Sequence, residues 1–93
     1  MNTLLLGTKD EDISLAASFI KNGEVVGMPT ETVYGLAASA LNEEAVSNIF
    51  KAKGRPNDNP LIVHIADFSE LDDIVLEVTD LAKECMDAFW PGP

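Results

Sequence analysis

EVVGMPTETVYGLAAS, residues 24–39, places two apolar runs on either side of a polar turn. Residues 25–28 are compact and apolar and stop at Pro29, whose ring fixes φ and removes a backbone donor. Residues 34–38 form the second run. Compact apolar runs, as opposed to alternating ones, predict strands in a sheet covered on both faces. Helical patterns flank the pair. Upstream, Thr8 with Glu11 predicts a capping box, Ile13, Ala16, Ala17 and Ile20 recur at helical spacing, and Gly23 closes the helix. Downstream, Asn42 caps a helix, Glu43 and Glu44 complement its dipole, and Ala45, Val46, Ile49 and Phe50 form its buried stripe.

Further out, residues 4–6 and 61–65 predict two more short strands. Residues 52–60, AKGRPNDNP, hold a glycine, two prolines and two asparagines and predict a loop. Ser69 predicts the cap of a short helix over 70–74. Thr79 predicts the cap of another over 80–89, with Leu81, Ala82, Cys85, Met86 and Phe89 on one face. Alternating strands and helices define an α/β layer structure. The chain stops at WPGP, residues 90–93, a turn that redirects a chain toward another element. Residues 1–93 are therefore expected to be the N-terminal portion of a single, truncated domain. An exposed apolar or unpaired edge would follow, making a homo-oligomer or swapped dimer of the piece an expectation.

The 93 residues suit one domain and not two, and 46% hydrophobic residues indicate a folded protein. No run is long enough to span a bilayer, so no membrane partner is expected. The N-terminus lacks a basic region and carries only three leucines in a row, unlike a secretory signal. A single cysteine, Cys85, excludes an internal disulfide framework and a cysteine zinc cluster, so a cytoplasmic location is the expectation. With 16 acids against 6 bases, the formal net charge of −10 opposes general binding to nucleic acid. Three of those bases, Lys51, Lys53 and Arg55, nevertheless fall within five residues. They fit either one anionic ligand or a solvated basic turn.

There is no GxxxxGK[ST] phosphate loop, no GxGxxG, and no His or Cys set for a metal. KGRP, residues 53–56, would carry Lys53 and Arg55 on one side of an extended loop, with Gly54 admitting a ligand close to the backbone. A compact ammonium beside a planar guanidinium suits a polyphosphate, and Asn57 and Asn59 could add amide contacts. The competing reading is a helix C-terminus with basic residues near its last carbonyls. PTETVYG, residues 29–35, lies just past a strand, where α/β sheets place ligands. Thr30, Thr32 and Tyr34 offer hydroxyls for an ammonium or a carboxylate, although threonines are also ordinary in a strand connection. His64, inside LIVHI, reads by itself as a hydrogen-bonded core histidine and Cys85 as a core thiol.

Together, PTETVYGLA, KAKGRPNDNPLIVHI and AFWPGP resemble the YrdC-like family from one end of the chain to the other. The resemblance implies a twisted open mixed sheet with flanking helices, built around a positively charged cavity. Its members make L-threonylcarbamoyladenylate from L-threonine, bicarbonate and ATP, releasing pyrophosphate, with Mg²⁺ accompanying the ATP. The family pattern implies Lys53 and Arg55 as catalytic residues and Lys53, Arg55 and Asn59 as ATP contacts. Thr32 and His64 would contact L-threonine, and Tyr34 would line the same pocket. The product passes to a partner transferase that modifies tRNA, so tRNA is met indirectly. Family domains are longer, and their serine- and asparagine-containing nucleotide motif lies beyond residue 93. Two alternatives are other YrdC-like carbamoyl-adenylate chemistry and a double-stranded RNA-binding module. The net charge of −10 weighs against the second.

Overall fold

The computed structural model describes residues 2–54, 56 and 60–92. They fall into two compact units, Met1–Pro60 and Leu61–Pro93. The first contains helix α1 (Asp10–Lys21), strands β1 (Val26–Met28) and β2 (Gly35–Ala37), and helix α2 (Glu43–Lys53). The second contains a 3₁₀ segment (Phe68–Asp73) and helix α3 (Asp80–Phe89).

The two apolar runs around the polar turn pair with each other. β1 and β2 are antiparallel, with Val26 opposite Ala37, Gly27 opposite Leu36 and Met28 opposite Gly35. α1 packs against β1. Among the described residues the sheet has these two strands only, and neither is fully buried. Residues 4–6 and 61–65 are extended but join no ladder. Leu5 and Ile62 are largely solvent-exposed. An apolar run becomes a strand only where another strand supplies hydrogen-bond partners, and composition cannot provide one.

The helix ends follow the chemistry of free backbone groups. α1 begins one residue later than Thr8 with Glu11 would require. Lys9 is its N-cap and makes no side-chain cap bond. Asp10, Glu11 and Asp12 stabilise this end through the dipole, and the Asp12 carboxylate accepts from the Gly7 N–H at 3.1 Å. Its C-terminus is a Schellman motif: Gly23 donates to the Ile20 carbonyl and Glu24 to that of Phe19. Gly23 takes φ +86°, as that motif demands.

In α2, Asn42 is the cap, its Oδ1 accepting from the Ala45 N–H at 3.0 Å. The stripe reads through correctly, because Ala45, Ile49 and Phe50 are the buried apolar residues and Val46 is half-buried. The helix runs on to Lys53, into the predicted loop, and ends at Gly54 with φ +66°. Lys51 and Lys53 in its last turn face the negative end of the dipole.

In the second unit, the 3₁₀ segment is capped by Asp67, not Ser69. The Asp67 carboxylate accepts from the Ser69 N–H, and Glu70 reaches back to the Ala66 N–H at 2.8 Å. Thr79 caps α3 as expected, accepting from the Ala82 N–H. The Trp90 ring stacks on Phe68 with centroids 4.2 Å apart, which joins the end of α3 to the 3₁₀ segment. The core assignment of Cys85 does not hold, since it is exposed together with Leu81 and Phe89. A unit this small has too little apolar surface of its own to cover a whole helix face.

The two left-handed glycines differ in a measurable way. A Cβ on Gly54 would meet nothing within 4 Å, whereas one on Gly23 would lie 2.9 Å from Nδ2 of Asn42. Gly54→Ala should cost about 1 kcal/mol from backbone conformation. Gly23→Ala should cost about 2–3 kcal/mol, because it also displaces a cap. Denaturant titration of both variants checks this, and equal losses would contradict the close approach.

Candidate functional site

The polar turn between β1 and β2 is shaped by one side chain. The Thr30 hydroxyl accepts from the Thr32 N–H at 3.3 Å and from the Val33 N–H at 3.2 Å, and donates to the Val33 carbonyl. This is the local bonding by which threonine builds turns. Thr32, Val33 and Tyr34 are all exposed. Among the described residues, the hydroxyls of Thr32 and Tyr34 have no hydrogen-bond partner. One short loop thus exposes two hydroxyl-bearing side chains, one aliphatic and one phenolic. Such a pair can meet the ammonium and carboxylate of an amino acid.

Lys53 sits elsewhere in the same unit, as the last residue of α2, and is exposed. The alternate-residue geometry expected of an extended KGRP loop is corrected here. Lys53 is helical and Gly54 is left-handed, so Gly54 is required by helix termination, with no protein atom near its missing Cβ. The helix C-terminus reading describes the backbone at Lys51 and Lys53, and it leaves the Lys53 side chain exposed. Arg55 and Asn59 lie outside the described residues.

His64 belongs to the second unit and is exposed, so its reading as a core histidine does not hold. The strand that would have buried it does not form. Thr30, read from the sequence with Thr32 and Tyr34 as a hydroxyl for a ligand, spends its hydroxyl on the turn. A threonine directly after a strand-ending proline and two residues before another polar residue carries the signal of a hydroxyl-bonded turn. Among the described residues no three His, Cys, Asp or Glu side chains gather to hold a metal. No helix among them is long and apolar enough to cross a membrane.

An antiparallel hairpin flanked by two helices, with Thr32 and Tyr34 exposed on its loop and a lysine ending the second helix, makes this an α/β chain. The family model described as "Telomere recombination", covering Sua5, YciO and YrdC, matches residues 18–93. The chain belongs to that family, as its motifs implied. It is similar to the threonylcarbamoyl-AMP synthase of Bacillus subtilis, 55% identical over 94% of this chain and 25% of the relative. It is 56% identical to the enzyme of the same name from Pyrococcus abyssi, over 87% of this chain and 24% of the relative. Among solved structures, the crystal structure of P. abyssi Sua5 complexed with L-threonine superposes with a TM-score of 0.85 at 52% identity. It covers 90% of this chain and 25% of that one. The α/β fold expected from the sequence is therefore borne out. The chain spans about a quarter of the length of the curated relatives it matches.

Because Thr32, Tyr34 and Lys53 are exposed, their removal should leave the fold intact. Thr32→Val, Tyr34→Phe and Lys53→Ala should each change unfolding free energy by less than about 0.5 kcal/mol. Thermal melts test this, and a larger loss in any of the three would show that the side chain is structural.

Proposed function

We propose that this chain carries the L-threonine-contacting and phosphate-contacting portion of an L-threonylcarbamoyladenylate synthase. The observation that carries the reading is the match to Sua5 complexed with L-threonine, at 52% identity over 90% of this chain. The curated relatives named threonylcarbamoyl-AMP synthase support the same activity. Thr32, Tyr34 and His64 are assigned to L-threonine, and Lys53, Arg55 and Asn59 to ATP.

In the proposed reaction, bicarbonate and the threonine amine lose water to form a carbamate. A carbamate oxygen attacks the α-phosphorus of ATP, the bond from that phosphorus to the β-phosphate bridging oxygen breaks, and pyrophosphate leaves. Such a displacement asks a protein for position and positive charge more than for covalent chemistry. Lys53 supplies a compact cation and Arg55 a planar fork toward the phosphates as negative charge moves onto the leaving group. Mg²⁺ would enter as the companion of ATP and offset the charge of its phosphates. The product would pass to a partner transferase acting on tRNA. The proposal places these 93 residues within a single, larger domain, so adenylation requires the remainder of the site. An apolar edge without that remainder would favour association of the chain with itself.

A chimera with these 93 residues in place of the matching quarter of the B. subtilis enzyme supplies that remainder. It should release pyrophosphate with L-threonine and not with carbamoyl phosphate, while the 93-residue chain alone should release none. Lys53→Ala or Arg55→Ala in the chimera should each lower the threonine-dependent rate by about a hundredfold or more. Wild-type rates in either variant would overturn its assignment to the phosphates.

A further inference from the structure

We propose that Thr30 is a positioning residue for the amino-acid subsite: its hydroxyl sets the turn that presents Thr32 and Tyr34. This rests on the reading above, in which those two residues meet L-threonine.

A threonine hydroxyl has one hydrogen to donate and two lone pairs to accept with. At Thr30 all three are used, by the Val33 carbonyl and by the N–H groups of Thr32 and Val33. Nothing remains for a ligand unless the turn opens. Thr32, two residues on, has the opposite condition, an exposed hydroxyl with no partner among the described residues. The two threonines of one motif are therefore divided, one to build the loop and the other to face the substrate.

The rest of the loop offers little other restraint. It spans residues 29–34 and is closed at its base by the pairing of Met28 with Gly35. Val33 is 72% and Tyr34 79% exposed, so packing does not hold them. Among the described residues, every side-chain hydrogen bond within the loop comes from Thr30. Its methyl carbon also lies 3.7 Å from where a Cβ on Gly35 would sit, which places the same side chain over the first residue of β2. Without this hydroxyl, residues 32–34 would have to be ordered at each binding event, at the expense of affinity.

The test uses the chimera described above with Thr30→Val, which keeps the shape and loses the hydroxyl, and Thr30→Ser, which keeps the hydroxyl. Amide exchange at Thr32 and Val33, followed by NMR, reads the turn, and a titration with L-threonine reads the subsite. Thr30→Val should speed exchange at both amides and weaken L-threonine binding about tenfold, equivalent to about 1.4 kcal/mol, while Thr30→Ser stays close to wild type. Wild-type affinity in Thr30→Val, or equal losses in both variants, would overturn the positioning role. If the chimera without these substitutions shows no threonine-dependent shift while Thr30→Val still deprotects the two amides, the fault lies with the threonine assignment. Thr30 is then a turn residue alone.

Discussion

The pairing of Met28 with Gly35 closes the base of the loop that carries Thr32 and Tyr34. A slip of one residue in that register would turn every side chain of the shifted strand to the other face. Two strands of three residues cannot hold such a register unaided. Support comes from α1, which packs on β1. The ends of the two helices meet where Gly23, closing α1, lies against the Asn42 side chain that opens α2. That contact fixes where one helix stops relative to where the next begins, and the hairpin lies between them in sequence.

Those residues assigned to chemistry that lie among the described ones share one physical property. Thr32, Tyr34, Lys53 and His64 are all exposed, and none is needed to fill a core. Side chains not committed to packing can be specified by a ligand alone, at little expense to the fold. Thr30 illustrates the complementary case, a polar side chain on the same loop whose bonding is wholly internal.

Much of this was legible from local sequence because local physics decides it. Asn42 and Thr79 were readable as caps, since a cap needs only a side-chain oxygen and a free amide a few residues on. Gly23 was readable as a helix end, and the spacing of Ala45, Ile49 and Phe50 as a buried stripe. The Asp67 cap was missed because Ser69 offered an equally good oxygen two residues later, and only the backbone decides between them. The strands expected at residues 4–6 and 61–65 failed for a non-local reason, the lack of a pairing partner. His64 and Cys85 were misplaced for the same reason, because burial depends on what lies opposite. In KGRP, spacing misjudged Lys53 by assuming an extended backbone where a helix continues.

The uncovered side of α3 has a consequence for handling the molecule. Leu81, Cys85 and Phe89 share that helix with Asp80, Glu84 and Asp87, and residues 61–93 hold a single base, Lys83. Mutual repulsion among these carboxylates opposes the approach of the apolar helices of neighbouring molecules. Dissolved salt weakens that repulsion, whose reach falls from about 10 Å at 0.1 M to about 3 Å at 1 M, while leaving apolar attraction intact. Dilute buffers therefore favour dispersed molecules, and concentrated brines favour clusters.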